Sequence, residues 1–140
     1  MNNSLAVFNE NILSSIGNTP LVRINKLNPN KNTTIYAKLE GFNPTGSIKD
    51  RIALSMIQQA ESEGKLTQDK TIIEPTSGNT GVALAMIGAI KGYDVEIVMS
   101  DNVSIERRQM IKAFGGTVTL SEGKYGTDGA IRKARELVKA

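Results

Sequence analysis

The run Thr71-Ile72-Ile73-Glu74-Pro75-Thr76-Ser77-Gly78-Asn79-Thr80-Gly81, continued by Val82 to Lys91 (VALAMIGAIK) and by Val95 to Met99 (VEIVM), decides the fold. Residues 71–74 (TIIE) are a short β-rich run. Residues 79–91 are small and apolar and stop before Gly92, and residues 95–99 are again β-rich. A strand, a glycine-containing turn, a helix of about three turns and a second strand make a βαβ unit. Such a unit demands a parallel pair with a right-handed crossover. The VEIVM strand and the VALAMIGAI helix are apolar enough to be buried on more than one side.

Outward from this unit the same alternation continues. Upstream, Ile48, Ile52 and Met56, with Ala53, Ile57 and Ala60, form an i, i+4 stripe that predicts a helix over 47–63, with Ser47 as N-cap and Gly64 just past its end. Downstream, residues 104–114 read as a helix closed by Gly115-Gly116, 117–120 (TVTL) as a strand, and 128–139 as a helix. Residues 123–129 (GKYGTDG) read as a flexible loop before it. The order predicts an α/β fold: a three-layer, open, mostly parallel sheet with flanking helices. Residues 20–25 and 34–40 alternate apolar with polar and predict two further strands around the turn-rich Asn28-Pro29-Asn30. The chain therefore divides into N-terminal strands, 1–40, and a small α/β domain, 41–140. The last helix runs to Val138-Lys139-Ala140 without Gly, Asn or Pro to stop it, and a sheet of three central strands leaves open edges. A second domain is expected to be missing.

Composition narrows the chemistry. The 140 residues hold 17 Lys and Arg against 14 Asp and Glu, and no His, Cys or Trp. Serine–histidine and cysteine–histidine nucleophile systems, Cys/His zinc sites and disulfides are thereby excluded. Acid–base and nucleophilic work falls to Lys, Asp, Glu, Tyr, Ser or Thr. With a net charge of +3 and 4% aromatic residues, nucleic-acid binding is not expected. No apolar run approaches the roughly 20 residues of a membrane span, and the opening MNNSLAVFNENIL lacks the basic and apolar regions of a secretory signal. A soluble, cytoplasmic protein is expected.

Two loops hold the candidate chemistry. In Asn43-Pro44-Thr45-Gly46-Ser47-Ile48-Lys49-Asp50-Arg51, Lys49 falls in the first turn of a helix, beside unpaired N–H groups and the positive end of the dipole. That setting disfavours the cation, and a neutral amine attacks carbonyl groups; the same position also suits an ordinary solvated lysine flanked by Asp50. In Glu74 to Gly81, two glycines let a ligand approach the backbone, and Thr76, Ser77, Asn79 and Thr80 supply hydroxyl and amide groups at a helix N-terminus. This is a carboxylate or phosphate site at the C-terminal end of a parallel strand, or a well-capped turn. The P-loop pattern is absent, and Gly115 to Gly129 do not form a dinucleotide fingerprint. Tyr125 reads as a surface aromatic, Glu106-Arg107-Arg108 as a solvated helix face, and Arg132-Lys133-Ala134-Arg135 likewise.

Taken together, Pro44 to Arg51 (PTGSIKDR) and Pro75 to Gly81 (PTSGNTG) resemble the cysteine synthase (O-acetylserine sulfhydrylase) and cystathionine β-synthase family of pyridoxal-phosphate enzymes. Ile16 to Val22 (IGNTPLV), Ser104 to Arg108 (SIERR) and Lys112 to Gly116 (KAFGG) extend the resemblance over nearly the whole chain from about residue 12. It implies the N-terminal segment of a fold-type II pyridoxal-phosphate enzyme. Lys49 would form the Schiff base with pyridoxal phosphate and move the α-proton. Asn79 would bond the cofactor's ring hydroxyl oxygen, and Thr76, Ser77, Asn79 and Thr80 would hold the substrate carboxylate. The implied reaction is β-replacement, in which O-acetylserine loses acetate and sulfide adds to give cysteine, with a homodimer or other self-association as the assembly. The family's phosphate loop and the serine partner of the pyridine nitrogen belong to a further domain, on which residues 20–40 would pack. Cystathionine β-synthase and other β-replacement enzymes share both loops, whereas Thr80-Gly81 tells against the threonine deaminase-like relatives, which usually differ at that turn. A catalytically inactive fragment or a self-associating binding module is the alternative of a different class.

Overall fold

The computed structural model describes residues 9–139; Met1–Phe8 and Ala140, both counted in the two expected domains, lie outside the described residues. Three parallel strands, β3 (Ile72–Pro75), β4 (Val95–Ser100) and β5 (Thr117–Ser121), form a sheet in the order β3-β4-β5. Ile72 pairs with Val95 and Glu96 with Thr117. Helices α1 (Lys49–Ser62), α2 (Asn79–Lys91), α3 (Ile105–Ala113) and α4 (Gly126–Leu137) flank it. Strands β1 (Leu21–Arg23) and β2 (Tyr36–Lys38) pair antiparallel with each other in a separate two-stranded sheet.

The layers follow from the alternation along β4. Val95, Ile97 and Met99 pack with α2, with Ala53 and Ile57 of α1 and with Ile111 of α3. Val98 packs on the other face with Ala130 and Ala134 of α4. Successive side chains of a strand point to opposite faces, so the apolar residues of β4 contribute to two cores. Helix α2 lies between α1 and the sheet, and every residue from Gly81 to Gly88 is buried. A helix wrapped on all sides carries no polar face. A β-carbon added at Gly81 would lie 3.0 Å from the Thr76 side chain and 3.1 Å from that of Ile97, so the hydrogen in its place sets how closely α2 approaches β3 and β4. The expected α/β class, with helices on both faces of a parallel sheet, is the observed one.

Three local expectations are corrected, at the α1 cap, the loop before α4 and the two arginines of α3, and the α1 stripe divides between core and surface. Helix α1 begins at Lys49 with Ile48 in the cap position, not Ser47, because Pro44 to Ser47 is spent on a tight turn. Only half of its apolar stripe is core. Ala53 and Ile57 are buried, whereas Ile48, Ile52 and Met56 are exposed, because α2 covers a single face. The loop before α4 contains a helical turn at Gly123–Tyr125, and α4 starts at Gly126, two residues ahead of Asp128. Arg107 and Arg108 are not simply solvated, since both donate to backbone carbonyls of neighbouring loops.

Candidate active site

One candidate loop leads into the N-terminus of α1, and the other follows the C-terminal end of β3 and leads into α2. Lys49 is the first residue of α1, and its main-chain N–H donates to Ser47 Oγ at 3.1 Å. The Asn79 side-chain amide donates to the same oxygen at 3.2 Å. One buried hydroxyl thus ties together two segments 32 residues apart in sequence.

The residues around Lys49 are held firmly, while Lys49 is not. Asp50 is fully buried. Its carboxylate accepts the Thr45 N–H at 2.8 Å and the Thr45 hydroxyl proton, closing the turn before the helix. Arg51 donates to Glu40 through Nε (2.8 Å) and Nη2 (3.1 Å), the two-pronged geometry a guanidinium is built for. Thr19 and Asn43 also donate to the Glu40 carboxylate, at 2.7 and 2.9 Å, and Asn43 accepts the Gly17 N–H at 2.9 Å. Gly17 sits at φ +90°, and a β-carbon there would be 2.8 Å from the Arg51 guanidinium, so both backbone and packing call for glycine. The hydrogen bonds from Arg51 and Thr19 hold the Glu40 carboxyl down at about 2. Lys49 itself is half-buried, and its Nζ has no hydrogen-bond or ion-pair partner among the described residues.

The facing loop is built on β3. Thr76 continues the ladder by donating its N–H to Val98 O at 3.0 Å, and its Oγ1 accepts the Gly78 N–H at 3.2 Å. Gly81 N–H is turned back onto Gly78 O at 3.1 Å. The Asn79 and Thr80 N–H groups at the start of α2 have no backbone acceptor among the described residues. Open N–H groups and the positive dipole end favour an anion there. A cavity of about 90 Å³ adjoins the loop, lined by Thr76 and Ser77, by Ser100 at the end of β4 and by Thr127 of α4.

Of the candidate residues, Lys49 and Asn79 are brought together through Ser47, and Thr76 and Ser77 line the cavity. Thr80 is half-buried in the first turn of α2. Tyr125 is exposed beneath Lys124 and Arg132, whose charged groups lie 4.7 and 4.6 Å from its ring centre. Two residues near the loops escape sequence reasoning. Ser47 reads there only as a cap. Arg107, which donates to Ser77 O at 2.7 Å, reads only as a solvated charge. The one signal for Arg107 is its place in the first turns after β4, on the sheet edge that carries the Thr76 loop.

A lysine at a helix start is thus joined by one serine to a strand–helix turn with open N–H groups, on an α/β frame. The chain belongs to the pyridoxal-phosphate dependent enzyme family, whose model matches residues 12–140. It is 53% identical over 130 residues to a cysteine synthase of Flavobacterium sp. (strain K3-15), a match covering 93% of this chain and 42% of that protein. A crystal structure of cysteine synthase from Entamoeba histolytica superposes with a TM-score of 0.93 at 43% identity, covering 99% of this chain and 42% of that one. An O-acetylserine dependent cystathionine β-synthase from Helicobacter pylori gives 0.87 at 36% identity, covering 95% and 44%. The chain thus spans about two-fifths of the length of these relatives.

Proposed function

We propose that this chain carries the lysine half of a cysteine synthase active site, for β-replacement of O-acetylserine by sulfide. The observation that carries the reading is the Ser47 hydroxyl, which sets the Lys49 main chain and the Asn79 side chain on one oxygen. The residues present fit the lysine end of pyridoxal phosphate: an amine without a competing partner extends from the helix start that Ser47 joins to the Asn79 side chain, and the turn beyond Asn79 has open N–H groups. When bound, the cofactor supplies an electron sink for the substrate's α-carbon. Lys49 is its attachment point and moves the α-proton through Nζ. Asn79 orients the ring oxygen, and Thr76, Ser77, Asn79 and Thr80 bind the amino acid's carboxylate. The buried Asp50 turn and the Glu40–Arg51 pair keep the first turn of α1 in place while the lysine side chain moves.

Small amino-acid substrate and sulfide are the partners this reading implies, in a cytoplasmic homodimer whose N-terminal strands pack on a second domain. Among the described residues no helix is long and apolar enough to cross a membrane. Cystathionine β-synthase chemistry is the neighbouring reading, favoured by the likeness to the Helicobacter pylori enzyme. An inactive, self-associating module is favoured by the exposed Ile48, Ile52 and Met56.

The test is an absorbance spectrum of the 140-residue chain with added pyridoxal phosphate, beside Lys49→Ala. A visible band that the variant lacks supports attachment at Lys49. A band that survives in the variant overturns it, and no band in either protein favours the inactive module.

A further inference from the structure

Arg107 stands out among the polar residues that the proposed chemistry leaves unused. It is exposed on α3, yet its guanidinium reaches the carboxylate loop, donating through Nη1 to Ser77 O at 2.7 Å. Nη1 also lies 3.7 Å from where a β-carbon of Gly78 would stand. No carboxylate pairs with it among the described residues. Its helix is anchored independently. Arg108 donates to Val103 O through Nε (3.1 Å) and Nη2 (2.7 Å) and also to Asp101 O, fastening the start of α3 to the end of β4. Arg107 is therefore presented to the loop from a fixed base.

The Ser77–Gly78 peptide carries two hydrogen bonds at once. Its carbonyl accepts from Arg107, and its N–H donates to Thr76 Oγ1 at 3.2 Å. A cation on a peptide oxygen draws electron density across the amide and makes the N–H a stronger donor, since hydrogen bonds in series polarise one another. A hydroxyl oxygen that accepts the Gly78 N–H keeps its own proton for another acceptor. Thr76 also lines the cavity at the loop.

We infer that Arg107 is a positioning residue for the substrate carboxylate. Acting through the Ser77–Gly78 peptide, it fixes Thr76 Oγ1 as an acceptor of the Gly78 N–H, so that the Thr76 hydroxyl proton is left to donate to the carboxylate. The inference rests on the proposed role of Thr76 in holding that carboxylate. Arg107 touches neither substrate nor cofactor in this arrangement. Its effect passes through one peptide and one hydroxyl.

The experiment uses the 140-residue chain and amide NMR, with L-serine as the probe, on the unaltered protein, Arg107→Met, Arg107→Lys, Thr76→Val and the Arg107→Met/Thr76→Val pair. In the absence of probe, Arg107→Met is expected to move the Gly78 amide proton upfield, and Arg107→Lys to restore most of the shift. On titration, Arg107→Met should weaken L-serine binding about tenfold, the scale of a charge-assisted hydrogen bond. Arg107→Lys should recover most of this loss, and Arg107→Met should add nothing once Thr76→Val is present. That last result separates action through Thr76 from general loosening of α3. An unaltered chain that binds L-serine while Arg107→Met leaves both the Gly78 amide and the affinity unchanged overturns the inference alone. Losses that multiply in the double variant overturn it too. An unaltered chain whose 76–80 amides do not respond to L-serine overturns the carboxylate site, and the inference with it.

Discussion

Single atoms at the loop bases set what the site can tolerate. Gly81 is closed in by methyl groups of Thr76 and Ile97, at 3.0 and 3.1 Å from an added β-carbon, both branched and both on strands or their extensions. Gly81→Ala is expected to destabilise the fold by about 1–3 kcal/mol, the range for overpacking a tight core. Urea unfolding measures it, and a loss below half a kcal/mol would mean that α2 moves off the sheet at little cost. Glu74, on β3, is half-buried and has no partner among the described residues, and burial pushes its carboxyl above the ordinary 4.5. The fold therefore favours the protonated acid. Its favourable contribution is complete below the ordinary carboxyl value and is lost as pH rises through the raised one. Glu74→Gln should accordingly raise the melting temperature at pH 7 and change it little at pH 4. Equal shifts at the two pH values would assign the gain to something other than the buried charge.

Between elements, the Glu40–Arg51–Thr19–Asn43 cluster fastens the two-stranded sheet to the start of α1, with Leu39 N–H on Pro20 O at 2.9 Å alongside it. Glu40 is held at about 2, below its ordinary 4.5, first by its hydrogen bond from Arg51 and then by that from Thr19. A depressed carboxyl stabilises fully above the ordinary value and ceases to do so as pH falls through the lowered one. Hydrogen exchange at the Gly17 and Leu39 amides should therefore speed up between pH about 4.5 and about 2, after correction for the intrinsic rate, and Arg51→Met should abolish that pH dependence. Protection unchanged across this range would show that the cluster does not hold the elements together. Sequence reasoning places these elements well and their contacts poorly. Helix α2 runs over Asn79–Lys91 as expected, because an all-apolar run between a Gly-rich turn and Gly92 has little other choice. The i, i+4 stripe of α1 states that the helix is apolar but not which half of the stripe meets α2, since that depends on a partner far along the chain. Lys49, Thr76 and Asn79 stand out as candidates because both loops have distinctive composition. The Ser47–Asn79 and Arg107–Ser77 bonds join residues about 30 apart, and local spacing holds no trace of them.

At the scale of the whole molecule, apolar side chains remain outside both cores. Ile48, Ile52 and Met56 recur every fourth residue and form one line along α1, with Ile52 43% and Met56 46% exposed. Leu21, Val22 and Tyr36 stand exposed on the small antiparallel sheet, Leu21 by 61%. Contiguous apolar surface of this kind drives association, because removing it from water is favourable by roughly 25 cal/mol for each Å² covered. The chain on its own should therefore self-associate as its concentration rises. Changing Ile52 and Met56 to Lys places two charges in the exposed line without entering either core, so unfolding free energy should stay within about 0.5 kcal/mol per site of the unaltered chain. Sedimentation velocity over a hundredfold concentration range should then show the unaltered chain shifting to faster species and the Ile52→Lys/Met56→Lys chain remaining monomeric. Unchanged association in the double variant would move the contact to the β1–β2 sheet, where Leu21→Lys is the corresponding change. A marked loss of stability would instead mean that the α1 line is already packed against part of the chain.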